Sequence, residues 1–276
     1  MSYENPLIAK WKAGIPTLGG WLTVCDPSIA EYLANCGLDE VTADQQHSTI
    51  GVDDLGVLLP AIEARGAIPV TRVGYNDPYL IGRSLDLGAV GVIIPMVNNA
   101  AEAAAAVRAF RYPPRGNRSA GAVRSPYFMG GGTPQELERA ACIVMVETAD
   151  GLRNVDAIAG TPGVDCVYVG PGDLALGLGL DWDDSKWNDA QAKLHADAVA
   201  AVLAATKKHG IAAGFHAGAG QPSARLIEQG FLMLTAITDL GLIAVHGRAE
   251  LDIARRAVTP AARAKMMAPG GAASVL

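Results

Sequence analysis

The sequence predicts an α/β fold, a single (β/α)₈ (TIM) barrel, and three observations carry that prediction. Short apolar runs alternate with longer helical stretches, the pattern of βαβ units and a parallel sheet. The alternation can be counted eight times, the number a closed barrel needs. At 276 residues the chain has the length of one such barrel, residues 1–276 forming one domain with no break in composition. Half of the residues are hydrophobic and 18% are charged. A chain this long therefore buries enough apolar surface to fold without disulfides or a structural metal.

In order, strands are expected at Thr17–Val24, Glu40–Ala43, Ile68–Arg72, Gly91–Pro95, Cys142–Glu147, Val164–Gly170, Ile211–Gly214 and Phe231–Thr235. Each is a short, mostly apolar run of strand length. Helices read as Ser28–Asn35, Val52–Glu63, Pro78–Leu87, Ala100–Phe110, Gly151–Ala159, Lys186–His209, Ser223–Glu228 and Leu240–Ala257. One segment breaks the rhythm. Arg111–Pro134 (RYPPRGNRSAGAVRSPYFMGGGTP) is rich in Pro, Gly and Arg, and a loop this long inside a compact domain usually serves function or an interface. The residues after Pro269 (GGAASVL) read as a disordered tail, 270–276.

Charge and cysteine usage exclude several classes. A net charge of −6 offers no basic field for a phosphate backbone, so nucleic acid is not an expected partner. The cysteines Cys25, Cys36, Cys142 and Cys166 are far apart with no Cys-x-x-Cys pair, as reduced thiols of a cytoplasmic protein would be. The N-terminal residues carry no signal pattern and no window reaches the length of a membrane span. A soluble, cytoplasmic protein is the expectation.

Catalytic groups of such a barrel sit where strands end and run into helices. Trp21 stands near the end of the first strand, and Asp44-Gln45-Gln46-His47 follow the second. Arg72 ends the third, Glu147 the fifth, Gly170-Pro171-Gly172-Asp173 leaves the sixth, and His216 follows the seventh. An arginine or glutamate closing an apolar run is costly to bury without a partner, so several on one face suggest a shared site. Glu147 and Asp173 close neighbouring strands. They can converge on one Mg²⁺, which commonly takes one or two carboxylates with waters and substrate oxygens, or on Mn²⁺ or Co²⁺. The same spacing also allows a salt bridge to Arg72. Gly170–Asp173 reads as a turn opening a short helix, whose N–H groups favour an anion such as a carboxylate. His47 is suited to proton transfer near neutral pH, whereas His195, His209 and His246 fall on or at the ends of helices and are expected to face solvent. None of the seven lysines stands at a strand end, so a Schiff-base mechanism has no candidate.

Several stretches in one order make a stronger signature: GGWLTVCDPSIAEYLANCGLD, ADQQH, PVTRV, LDLGAVGVIIPMV, RYPPRGNRS, VMVET with the following Asn154, and GVDCVYVGPGDLALGLG. On these the chain resembles the HpcH/HpaI aldolase family, the class II pyruvate aldolases among the phosphoenolpyruvate/pyruvate-binding barrels, from about Gly19 to His246. The resemblance implies metal-dependent cleavage or formation of 4-hydroxy-2-oxo acids from pyruvate, or a close 2-oxo acid such as hydroxypyruvate, and an aldehyde. Glu147 and Asp173 match the metal ligands, and Arg72 the arginine that steadies the enolate oxygen. His47 matches the histidine linked to proton transfer and Asp86 the aspartate that pairs with it. The N–H groups of Gly172 and Asp173 match those that hold the pyruvate carboxylate. The resemblance also implies a hexamer, a trimer of dimers that exchange a C-terminal helix, here within Leu240–Ala257.

The chain departs from the family pattern at Gln46, where Asp-x-Glu-His is common, at Met145, where a Gln is common, and at His216. Trp21, Gln46 and His216 are therefore the candidate acceptor-binding side chains, and Asp44 joins His47, Arg72 and Asp86 as a catalytic candidate. Other readings use the same enolate: an oxaloacetate decarboxylase or a CoA-thioester lyase, the latter weakened by the lack of a basic patch. A non-catalytic metabolite-binding barrel would need a decayed site.

Overall fold

The computed structural model describes residues 4–128, 133–259, 261–262 and 266. Strands β1 (Thr17–Leu22), β2 (Glu40–Asp44), β3 (Ile68–Arg72), β4 (Gly91–Ile94), β5 (Ala141–Val146), β6 (Cys166–Val169), β7 (Ala212–Phe215) and β8 (Met233–Thr238) close a barrel in sequence order. All neighbours are parallel, and β8 returns to β1 through a register shift between Gly19 and Gly20. The expected strands all form. β3 matches its expected range, and the ends of the others shift by up to three residues in either direction.

Helix α1 (Pro6–Lys12) precedes the barrel and was not expected, being only seven residues long. It is started by Asn5, whose side chain accepts from Leu7 N and Ile8 N ahead of a proline in the first turn, a strong start signal. Asn5 Nδ2 also donates to Val90 O at 2.8 Å and Arg139 O at 3.0 Å. These bonds tie α1 to the N-terminal ends of β4 and β5, where Leu7 and Trp11 join the barrel core.

The same cap, aspartate then proline, opens α2 (Pro27–Ala34) and α4 (Pro78–Asp86). Helix α3 (Leu55–Glu63) is entered through a 3₁₀ turn at Val52–Asp54, and α5 (Ala100–Phe110) matches its expected range. The expected Gly151–Ala159 helix divides at Asn154 into α8 (Ala149–Arg153) and α9 (Val155–Ala159). After β6, α10 (Pro171–Gly177) is the short helix opened by the Gly-Pro-Gly turn. A 3₁₀ turn at Asp184–Lys186 then leads to α11 (Asp189–His209). Helix α12 (Gly220–Gln229) follows β7. Gly210 and Gly230, at φ of 67° and 109°, end α11 and α12 in the left-handed conformation that suits glycine.

The Arg111–Pro134 segment is not structureless. It contains α6 (Ser125–Phe128), and α7 (Pro134–Leu137) begins at its last residue; residues 129–132 lie outside the described set. Helix α5 runs against the strands, so the segment begins and ends at the N-terminal end of the barrel. Its arginines fasten it there. Arg118 bonds Asp86 Oδ1 and Leu137 O, each at 2.8 Å, Arg124 bonds Glu63 at 2.8 Å, and Arg115 pairs with Glu138.

The barrel unit runs to Asp239, and the chain from Leu240 forms a second unit, whose described residues lie mostly within α13 (Asp239–Ala257). No helix of the described residues is long and apolar enough to cross a membrane. The expected disordered tail, 270–276, lies outside the described residues.

Inside the barrel every second residue points inward. Val70, Ile93, Ile143, Met145, Cys166, Tyr168 and Met233 form its core with α1. One charge-bearing group interrupts this core. Glu40 is 1% exposed, and a Cβ on Gly19 would fall 2.5 Å from its Oε1. Its Oε2 has no hydrogen-bond partner in the structure. Burial pushes its carboxyl up to about 8, so it is neutral at pH 7. The folded chain then keeps a proton that the unfolded chain releases near the ordinary glutamate value of 4.5. Its contribution to stability is full below that value and is lost as pH rises toward 8. Relative to wild type, Glu40→Gln is expected to gain melting temperature progressively from pH 5 to pH 8.5. A difference that does not change with pH in paired thermal melts would refute the neutral acid.

Candidate active site

The inward alternation carries each strand's last side chain into one layer at the mouth. Two residues beyond Val70 comes Arg72, beyond Met145 comes Glu147, and Trp21 closes the inward face of β1. Asp44 ends β2, and His216 lies two residues past Gly214. The sequence reading gathered these residues from strand ends alone, and the barrel brings them together.

Asp44 is the centre of the layer. Its carboxylate accepts Arg72 Nε at 2.8 Å and Arg72 Nη2 at 2.6 Å, the bidentate geometry that fixes a guanidinium in both position and plane. It also accepts Trp21 Nε1 at 3.3 Å, Gln46 N at 3.0 Å and His47 N at 3.3 Å. Burial by itself would raise the Asp44 carboxyl, but the hydrogen bonds and charge of Arg72 hold it below the usual carboxylate range. A carboxylate with five donors is an anchor for its neighbours. Arg72 stacks on Trp21 at 4.8 Å, and its Nη1 takes no protein hydrogen bond among the described residues. The salt bridge allowed by the sequence thus goes from Arg72 to Asp44, not to Glu147 or Asp173.

Glu147 is 2% exposed. Its Oε1 accepts Met96 N at 2.7 Å, and Met96 holds a φ of 57° to present that N–H. A left-handed non-glycine residue costs free energy and persists where the surroundings demand it. On the other side, a Cβ on Gly170 would lie 2.6 Å from Glu147 Oε2, so glycine is what lets the glutamate stand there. Burial, with the nearby Asp173 charge, pushes Glu147 up to about 6 against the Met96 hydrogen bond and Arg72. Neither Glu147 nor Asp173 forms an ion pair among the described residues. Two carboxylates, one deeply buried, with no bound protein cation, form a donor set that a divalent cation would satisfy.

His216 packs edge-on against Trp21 at 4.7 Å. Burial and the Arg72 charge push it down to about 4, so its imidazole is neutral at pH 7. The Gln46 side-chain oxygen is buried without a hydrogen-bond partner. His47 is exposed, with its backbone N held by Asp44. The expected His47–Asp86 pair does not form within the chain. Helix α4 ends at the opposite end of the barrel, where Asp86 is engaged by Arg118. Of the histidines expected to face solvent, His209 and His246 are exposed, with His209 Nε2 3.1 Å from Asp156, whereas His195 is half-buried with its Nε2 3.1 Å from Pro171 O.

Sequence reasoning missed Met96, because its contribution is a backbone N–H. It also missed Gln45, whose Nε2 donates to Thr71 Oγ1 at 2.8 Å and Ser84 Oγ at 3.2 Å, bracing the β2 end. The described lysines belong to α1, α11 and the Asp184–Lys186 turn, none at a strand end.

A closed parallel barrel whose mouth gathers a fixed guanidinium, two uncompensated carboxylates and a neutral imidazole defines an enzyme of small-acid chemistry. The chain belongs to the HpcH/HpaI aldolase/citrate lyase family, matching it over residues 18–244. It is 37% identical to a hydroxypyruvate/pyruvate aldolase of Rhizorhabdus wittichii over 256 residues, covering 91% of this chain and 99% of that protein. It is also 37% identical to a 2-dehydro-3,6-dideoxy-6-sulfogluconate aldolase of Pseudomonas putida, over 82% of this chain and 88% of that protein. The crystal structure of a family member from Burkholderia cenocepacia superposes with a TM-score of 0.82 at 36% identity, covering 91% and 99% of the two chains.

Proposed function

We propose that the protein is a metal-dependent aldolase that cleaves or forms 4-hydroxy-2-oxo acids, with pyruvate or hydroxypyruvate as the 2-oxo acid and an aldehyde as the second partner. The observation that carries this reading is the Glu147–Asp173 carboxylate pair beside an arginine locked by Asp44. The names of the Rhizorhabdus and Pseudomonas relatives support it. Glu147 and Asp173 would hold Mg²⁺, Mn²⁺ or Co²⁺, with water and substrate oxygens completing the shell. No group of three or more His, Cys, Asp or Glu gathers among the described residues. When bound, the cation supplies Lewis-acid polarisation of the 2-oxo group.

The chain's own residues supply the rest. In cleavage, His47 takes the 4-hydroxyl proton, the C3–C4 bond breaks, and its electron pair enters the enolate as the aldehyde departs. Arg72, with Nη1 unengaged, stabilises the charge that develops on the enolate oxygen. Protonation at C3 then gives the methyl group of pyruvate, and synthesis runs the same steps backward. The N–H groups of Gly172 and Asp173 hold the substrate carboxylate.

Chelation should abolish activity and Mg²⁺, Mn²⁺ or Co²⁺ restore it, while borohydride with pyruvate leaves the enzyme active. Arg72→Ala should abolish both cleavage and pyruvate proton exchange, and His47→Ala should damage cleavage more than exchange. A borohydride-trapped pyruvate adduct on any lysine would overturn the mechanism.

The acceptor is inferred to be a small, hydroxylated aldehyde. Gln46 offers an unpaired buried oxygen and His216 a neutral ring beside Trp21, both able to hydrogen-bond a hydroxyl. In kcat/KM measurements from glycolaldehyde to benzaldehyde, Gln46→Ala and His216→Ala should each lose about 0.5–3 kcal/mol for hydroxylated acceptors only. An unchanged order of preference would end this assignment.

We further infer a homo-oligomer, a hexamer of helix-exchanging dimers as the family resemblance implies. Helix α13 carries Leu240, Ile243, Val245, Leu251 and Ile253, each more than half exposed, and an apolar surface of this kind marks an interface. Light scattering should give six chains per particle for the full protein, and a monomer would reject the assembly.

A further inference from the structure

The turn that presents Asp173 is braced from a segment with no assigned role. Pro171, two residues before Asp173, has its carbonyl 3.1 Å from His195 Nε2. The ring N–H donates and the carbonyl accepts. His195 lies in the first turns of α11 and is itself packed against Trp187, ring centroids 5.0 Å apart. Trp187 is fixed in turn by its Nε1–H, which donates to Asp181 O at 2.8 Å. From the same segment Trp182 lies over the turn, where a Cβ on Gly172 would fall 2.5 Å from the indole ring. A cavity of about 440 Å³ separates these groups, lined by Gly172, Trp182, Trp187, His195 and His216. The turn is therefore held at two points rather than packed against a continuous wall.

We propose that His195 is a positioning residue for Asp173. It fixes the Pro171 carbonyl, and with it the path of the backbone that aims the Asp173 carboxylate toward Glu147. The inference rests on the reading of Glu147 and Asp173 as the cation-holding pair. Partners that orient a ligand without touching the metal commonly alter metal affinity by about ten- to a hundredfold. A hydrogen bond to the backbone of the ligand's own turn falls in that class. The carbonyl has a second lone pair for its helical partner, so the His195 bond adds to the helix without competing with it.

The test uses Mn²⁺ alone, titrated into the purified full-length protein without substrate and read by calorimetry or electron paramagnetic resonance. Asp173→Asn is the control for the underlying reading. Unchanged Mn²⁺ affinity in that variant would refute the carboxylate pair itself. With the control behaving as expected, His195→Leu should weaken Mn²⁺ binding about tenfold while its melting temperature stays within a few degrees of wild type. His195→Gln, whose amide can donate to the same carbonyl, should recover most of the affinity. Mn²⁺ affinity in His195→Leu within twofold of wild type would overturn the proposal. So would a His195→Gln variant no better than leucine, because the ring would then act only by filling space. Should His195→Leu fail to fold, His195→Gln against His195→Ala reads the same difference.

Discussion

The mouth of this barrel depends on one ion pair, Asp44 with Arg72. Both partners are buried, and each alone would be an expensive charge in an apolar core. Together they fix more than each other. The same carboxylate gathers Trp21 and the backbone of Gln46 and His47, so the start of the β2–α3 connection and the end of β3 are set by a single side chain. Arg72 is left with one face on Trp21 and one nitrogen free of the protein. A guanidinium held in plane this way is preorganised, and a site that need not rearrange as charge develops is where electrostatic stabilisation acts most strongly.

Much of this arrangement was legible in the sequence, and the reason is periodicity. Apolar runs with a polar residue at the end announce a strand entering a site, so Arg72, Glu147 and Asp173 could be named from position alone. The order of eight strands followed from the same pattern. Short features were less visible. Helix α1 is too brief for a helical period to stand out, although its Asn-Pro start was present. The split of α8 from α9 occurs at Asn154, which a continuous apolar pattern conceals. Pairings between distant segments were not legible at all. The engagement of Asp86 by Arg118, and of Pro171 by His195, depends on which ends of helices the closed barrel brings together.

The two ends of the barrel divide the work. At the N-terminal end, α1 fills the opening with Leu7 and Trp11, and the arginines of the α5–β5 connection fasten it to the ends of α3 and α4. At the other end, charge is gathered instead of neutralised. Glu147 and Asp173 lack a cationic partner among the described residues, and the Gln46 oxygen is buried without a hydrogen-bond partner. Such groups lower the stability of the empty protein, and a ligand that satisfies them binds the folded chain alone, stabilising it by mass action.

Met96 illustrates a kind of importance that side-chain comparison overlooks. Its contribution to Glu147 comes through the main chain, so the identity of its side chain is open while its backbone is not. Proline would remove the donor, and valine or isoleucine would resist the left-handed conformation. Glycine or asparagine would adopt it with little cost. A record of accepted replacements at this position would therefore look permissive by chemistry and polarity. Its restriction lies in stereochemistry, in which residues can turn their backbone the unusual way.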